Sequence, residues 1–284
     1  MANLKGGTYE KQLKDAFHRL EAFGKGRHGN NDHLTHSDGL ASKREMYLND
    51  YKEFAEQNGF TNKLNETMNN ENISIFLNQR LEGLKHSTQN NYIRGLNSML
   101  KGLQESNIAI PCESAVLDSK VEAIRTMATA DTRTGLAIAN LSHKVEQLYE
   151  KRFETGVLSE VMENLGIRIS ESYELVKNID TYYNSFNGTI ENLVGKGNHI
   201  YIEKTISSEL FERIKACDAL PSQNTLRNDL KEVGINNPHL IKFTFAKNEF
   251  EKRINEGMEY HQALREVSQE LNHSRESMSL FYLS

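Results

Sequence analysis

Apolar residues recur at three- and four-residue steps along most of the chain, which predicts helices joined by polar links. In residues 8–23, TYEKQLKDAFHRLEAF, Tyr9, Leu13, Phe17, Leu20 and Phe23 share one face. Thr8 stands where a side-chain cap belongs, although Lys11 occupies the place that a capping box gives to Glu. Glycine, asparagine and histidine crowd residues 24–39, GKGRHGNNDHLTHSDG, which reads as a loop or linker. Three helices are predicted next: 43–58 on Tyr47, Tyr51 and Phe54; 71–84 on Ile73, Phe76, Leu77 and Leu84; and 87–104 on Tyr92, Leu96, Leu100 and Leu103. Ser87 or Thr88 would cap the third, and IAIP at 108–111 reads as the exit from this unit.

Residues 113–166 continue the helical pattern, through Val121, Ile124 and Ala128, then Leu141, Val145 and Leu148, then Leu158, Val161 and Leu165. Between 179 and 204 the period changes. FNG at 186–188 is a turn signal, 189–194 a short strand, GKGN at 195–198 a tight turn and 199–203 a second strand. Helices return at 206–217, at 222–233 and in one long stretch from about 243 to 271. The expected class is therefore mainly α with a small β-hairpin, divided into an N-terminal helix and linker (1–42), a helical unit (43–110) and a mixed domain (111–284). The N-terminal helix is expected to stand apart from the 43–110 unit. Its apolar face must then be buried against its own chain, a neighbouring protomer or another protein. A DNA-binding arm is the sharper alternative, but Lys11, Lys14 and Arg19 are partly balanced by Glu10, Asp15 and Glu21.

The composition narrows the class. With 37% hydrophobic and 26% charged residues and three prolines, the 284 residues describe a folded, soluble protein with room for two domains. The start, MANLKGG, lacks the apolar stretch of a signal peptide, and no apolar run approaches a membrane span. Two cysteines far apart, Cys112 and Cys217, suggest neither a disulfide framework nor a zinc site; the expectation is a reducing, cytoplasmic setting with no membrane association. His28, His33 and His36 in the linker raise the idea of a metal, but no cysteine or fixed ligand spacing supports it, so no metal and no cofactor are expected. The net charge of −5 argues mildly against nucleic acid, and residues 157–284 hold 14 Lys and Arg against 19 Asp and Glu. A DNA-gripping domain with that balance must keep its acids on an outer face.

Four stretches carry candidate chemistry. LGIRISESYEL at 165–175 sets Arg168 at a helix start with Glu171 three residues on; alone, this is an ordinary ion pair on a helix face. LVGKGNHIYI at 193–202 puts Lys196 at a hairpin tip, where a solvated lysine is common. HLIKFTFA at 239–246 places His239 and Lys242 one turn apart. The ending, ELNHSRESMSLFYL, has His273 in Asn-His-Ser and Tyr282 nine residues later. Leu280, Phe281 and Leu283 there are equally an amphipathic turn that closes a core. Tyr173, Tyr201 and Tyr260 are the other tyrosines considered, and none follows such a helix end.

In order and chemistry these four stretches resemble the catalytic domain of the tyrosine recombinases, the phage-integrase and Xer-like enzymes. GIRISE, GKGN, HLIK and LNHS with its following tyrosine stand in the family's order, and the resemblance covers roughly residues 157–284. The 43–110 unit is similar in shape to the family's helical core-binding domain. The resemblance implies a site-specific DNA recombinase, or integrase of a phage or mobile element, that cleaves and rejoins DNA through a covalent 3′-phosphotyrosine. Tyr282 would be the nucleophile, Arg168, His239, Lys242 and His273 the phosphate cradle, and Lys196 the acid for the leaving 5′ oxygen. Glu171 would orient a neighbour rather than move a proton. The implied partners are duplex DNA with a specific site, further copies of the chain (a tetramer on paired sites, a dimer or monomer free) and an accessory DNA-bending protein. The setting would be the cytoplasm, at the nucleoid.

The chain departs from the family pattern where Lys242 replaces an arginine. The charge survives, but the two parallel hydrogen bonds of a guanidinium do not, a change worth about 2–4 kcal/mol if the clamp acts in the transition state. The segment from Lys196 to His239 is short for the family and that from Lys242 to His273 long. Competing readings are a catalytically degenerate relative that binds DNA and regulates recombination, a structural helical protein and a type IB topoisomerase. The two domains are expected to grip the duplex from opposite faces. Lys85 and Arg94 are the candidate phosphate contacts of the helical unit, with solvated surface charge the equal alternative.

Overall fold

The computed structural model describes residues 8–23, 25, 34–60, 63–105, 112, 117, 119, 137–273, 279, 280 and 283. It is mainly helical with one small sheet, and it divides into two compact units, Met1–Asp131 and Thr132–Ser284.

The first unit holds α1 (Tyr9–Leu20), α2 (Asp38–Gln57), the short α3 (Leu64–Thr67), α4 (Asn70–Leu81) and α5 (His86–Glu105). Thr8 caps α1 by accepting from the Lys11 N–H at 3.4 Å, and Asn69 caps α4 by accepting from Asn72 at 2.9 Å. Tyr51 and Phe54 of α2 meet Phe76 of α4 at ring distances of 5.2 and 5.3 Å, and Ile93, Leu96 and Leu100 of α5 complete the core. Three expectations change. Helix α1 does not stand apart: Leu20 is fully buried in the same cluster as Tyr47, Leu48 and Leu96. The unit also runs past residue 110, since Cys112 and Leu117 enter that core. Helix α5 starts before Ser87: Lys85 holds the cap position, its carbonyl accepting from Thr88 at 2.8 Å and Gln89 at 3.0 Å. The exit at 108–111 and the apolar positions Val121, Ile124 and Ala128 lie outside the described residues.

The second unit runs α6 (Leu141–Lys151), α7 (Phe153–Leu165), α8 (Ile169–Lys177), α9 (Ile179–Tyr182), β1 (Tyr183–Asn184), β2 (Thr189–Ile190), β3 (Lys204–Thr205), α10 (Ser208–Lys215), α11 (Gln223–Glu232), α12 (His239–Asn255) and α13 (Tyr260–Glu270). The sheet is antiparallel in the order β1-β2-β3, with Tyr183 opposite Ile190 and Ile190 opposite Lys204. The strands are shorter than the sequence predicts. Beyond β2 the hairpin is held by one bridge, Val194 to Ile200, and by the turn bond from the Gly195 N–H to the His199 carbonyl at 2.8 Å. The single helix predicted over 243–271 is two. Helix α12 starts four residues earlier, at His239, and the chain breaks at Gly257 (φ 88°), with Glu259 capping α13 through its carboxylate. Valine and leucine of α6 and α7 form the core, with Leu226, Leu230 and Ile241 packed against them.

Gly166 ends α7 at φ 62°, and a Cβ there would lie 2.2 Å from the Phe245 ring of α12. That close approach sets where the chain turns into α8, and Arg168 is the cap residue two positions on.

Candidate active site

Glu171, in the first turn of α8, organises the site. It is 4% exposed and accepts four hydrogen bonds: from the Arg168 backbone N–H at 2.6 Å, the Arg168 guanidinium at 2.9 Å, the Lys196 backbone N–H at 3.1 Å and the Tyr201 hydroxyl at 2.7 Å. Burial favours the neutral acid. The Arg168 N–H, the Tyr201 hydroxyl and the nearby Lys242 and Arg168 charges outweigh it and hold Glu171 below the usual carboxylate range. The ion pair that reads as an ordinary surface feature is thus the buried anchor of the hairpin that carries Lys196. Lys196 itself is exposed at the tip, where Gly197 (φ 84°) and Asn198 (φ 64°) turn the chain.

Lys242 follows His239 by one turn of α12 and is 1% exposed. Its Nζ donates to the Tyr201 hydroxyl at 3.2 Å and to the Leu271 carbonyl at 2.9 Å. Burial and the Arg168 charge pull its pKa down to about 7. His239 begins α12, its backbone N–H donating to Asn237 Oδ1 at 3.0 Å and its ring standing edge-on to Phe243 at 5.3 Å. Burial first, then the Lys242 and Arg168 charges, lower His239 to about 4.

His273 is delivered by the end of α13. Asn272 adopts a left-handed conformation (φ 55°), and the bonds from Asn272 N–H to Gln269 carbonyl and from His273 N–H to Ser268 carbonyl close the helix. Asn272 also donates from Nδ2 to the His199 carbonyl at 2.9 Å, which fastens the hairpin to this helix end. His273 Nδ1 lies 3.0 Å from Ser279 Oγ, and burial with the Lys242 charge lowers its pKa to about 4. Ser279 is fully buried against Ser268 and His273. Phe281 and Tyr282 lie outside the described residues.

The structure thus brings Arg168, Glu171, His239, Lys242 and His273 together, with the Lys196 charge felt at His239. A cleft of about 280 Å³ opens beside them. Arg168, Arg227, His239 and Lys242 line it with Gln223 and Asn237, and among the described residues no Asp or Glu does. Several acids of this unit pair elsewhere: Glu160 with Arg213, Asp229 with Arg152, Asp180 with Lys215, and Glu249, Glu266 and Glu270 with Arg253.

No protein-family model matches the chain, and no curated protein matches it by sequence. Among solved structures, the XerH site-specific recombinase bound to palindromic difH substrate, a post-cleavage complex, aligns with a TM-score of 0.63 at 16% identity, covering 98% of this chain and 93% of that one. The chain has the fold of XerH. The pre-cleavage complex of XerH with its difH substrate aligns with a TM-score of 0.60 at 16% identity, over 97% and 92% of the two chains. On this XerH fold, at that low identity, the chemistry must be argued from the residues themselves.

Sequence reasoning missed Tyr201, Asn272 and Arg227 as parts of this site. Hydrophobicity along HIYIE would bury the isoleucines, yet Ile200 and Ile202 are 60% and 46% exposed and Tyr201 is 4% exposed. The usable signal was the period of two, which sets Tyr201 on the face opposite both isoleucines. Lys85 and Arg94 lie in the first unit, both exposed, with Arg94 Nε donating to Asn90 at 3.1 Å.

Proposed function

We propose that this chain is a site-specific DNA recombinase of the tyrosine type, which cuts and rejoins DNA through a 3′-phosphotyrosine at Tyr282. The observation that carries the reading is the cleft free of described acids in which Arg168, His239 and Lys242 converge beside His273 and the Lys196 hairpin. Cutting a phosphodiester without a metal needs a nucleophile, donors already aimed at the charge that develops on phosphorus, and an acid for the leaving oxygen. The Tyr282 oxygen forms the new bond to phosphorus and the bond to the 5′ oxygen breaks. Lys196 gives that oxygen its proton. Both histidines are neutral near pH 7, so the His239 lone pair can take the phenol proton while His273 donates from its N–H. The ester conserves the energy of the broken bond for rejoining.

The partner is duplex DNA bearing the element's own recombination site, engaged by more than one copy of the chain, with Lys85 and Arg94 adding phosphate contacts from the first unit. A nicked substrate carrying the site traps the intermediate. The wild type should accumulate a covalent DNA–protein adduct, and Tyr282→Phe should form none while folding and binding DNA as before. Adduct in Tyr282→Phe would overturn the nucleophile assignment. Lys242, a buried amine where the family carries a guanidinium, favours a second reading, a DNA-binding relative that no longer cuts. DNA binding by the wild type without any adduct would establish it.

A further inference from the structure

Tyr201 has no role in the reaction as described, yet it is the hinge of the site's polar network. Its hydroxyl carries one hydrogen. The 2.7 Å contact to Glu171 Oε2, an ionised carboxylate, takes that hydrogen, so toward Lys242 at 3.2 Å the oxygen can only accept. The donor order is therefore one-way: ammonium to phenol, phenol to carboxylate. Lys242 has three N–H donors. Tyr201 and the Leu271 carbonyl use two, which leaves the third for an acceptor in the cleft that Lys242 lines.

The same carboxylate accepts from the backbone of Lys196, and Tyr201 lies on the far strand of the Lys196 hairpin. Seating the hairpin and aiming the Lys242 amine are thus one event. A lysine in place of an arginine loses the planar fork that orients a guanidinium. Here a second residue supplies the orientation instead.

We propose that Tyr201 is a positioning residue: its hydroxyl, held by Glu171, fixes the Lys242 ammonium at the floor of the cleft so that its remaining N–H meets the phosphate. The inference rests on the recombinase reading for the identity of that acceptor, and on the hydrogen bonds alone for the positioning.

The groups that face the Lys242 amine are Arg168 and Glu171 from the start of α8, Tyr201 from the hairpin, Lys204 from β3, His239 from its own helix and His273 from the end of α13. Two of these, Arg168 and Lys204, are cations that oppose its charge. Glu171 and the Tyr201 oxygen favour it. Removing the hydroxyl therefore pushes the Lys242 proton off at a lower pH.

The full chain with lysine labelled at Nζ by nitrogen-15 provides a direct readout. The Lys242 signal, assigned by its loss in Lys242→Met, should titrate near 7 in the wild type and at lower pH in Tyr201→Phe. Adduct formation on the nicked site should fall roughly tenfold in Tyr201→Phe, the loss of one hydrogen bond to a charged group. Its decline with rising pH should begin earlier, while DNA affinity and melting temperature stay near the wild type. A purely structural role would lower activity equally at every pH. Tyr201→Met, a second hydroxyl-free variant of similar volume, must move the titration the same way and serves if the phenylalanine variant does not fold. An unmoved Lys242 midpoint overturns the positioning. A moved midpoint in a protein whose wild type forms no adduct leaves the positioning standing and removes the recombinase reading instead.

Discussion

Lys242 is the residue at which this chain departs from the pattern of the tyrosine recombinases it resembles. From the sequence alone, Lys242→Arg is expected to raise cleavage if the lysine is a weakened clamp, and to do nothing or harm if the pocket is rebuilt around it. The hydrogen bonds of the amine favour the second outcome. The amine is 1% exposed and held between the Tyr201 hydroxyl and the Leu271 carbonyl, a socket for one compact charge. A guanidinium adds volume at a side chain that is already 1% exposed, and it cannot give up its proton. Lys242→Arg is expected to lower adduct formation on a nicked site, and to lower the melting temperature by the cost of overpacking, about 1–3 kcal/mol. More adduct than wild type would show that the socket tolerates the fork. The sign of the pH dependence is fixed by the same residue. Its pKa is lowered to about 7, so the ammonium is present below that value and is lost as pH rises through it, taking a phosphate donor with it.

At the scale of elements, the turn from α7 to α8 positions the arginine. Gly166 combines a left-handed backbone with contact to Phe245 on α12, so even a methyl group there meets both penalties. Gly166→Ala should cost at least about 1–2 kcal/mol for the backbone conformation alone, with the ring contact added. Thermal melting checks the stability loss. A parallel adduct assay should fall further than stability explains, because shifting α7 against α12 moves Arg168 relative to Lys242. A variant that melts and reacts like the wild type would show that Phe245 yields without moving the helices. The hairpin is the opposite kind of element. It has little ladder of its own and is held in place by Glu171 and Asn272, side chains from two helices that end beside it.

For the molecule as a whole, the net charge of −5 does not describe the cleft. In the second unit many acids are paired with arginine and lysine on the helices around the core, and among the described residues the cleft is lined by cations and neutral groups. In the first unit, Lys85 and Arg94 are exposed at and on α5. Changing both to Glu should weaken DNA binding and reduce the slope of log affinity against log salt by about two, one for each phosphate no longer neutralised. Gel shifts across a salt series measure this, and an unchanged slope would place both outside the interface. Neither substitution touches the core, so melting should stay near the wild type.

Local sequence was enough for most of the longer helices among the described residues, the GKGN turn and the order of Arg168, Lys196, His239, Lys242, His273 and Tyr282, because helix periodicity and turn chemistry are written in residues three or four apart. The cap at Thr8 was legible for the same reason. What the sequence left open depends on partners far along the chain. The membership of α1 in the first unit rests on Leu20 meeting α2 and α5. The break between α12 and α13 interrupts a pattern whose apolar residues continue on both sides of Gly257. The burial of Tyr201 rather than its neighbouring isoleucines follows from a carboxylate 30 residues away, and the lowered pKa of Lys242 from burial and from the charge of Arg168, which only the fold brings beside it. Burial and protonation are sums over everything that surrounds a group, and only the folded chain brings those surroundings together.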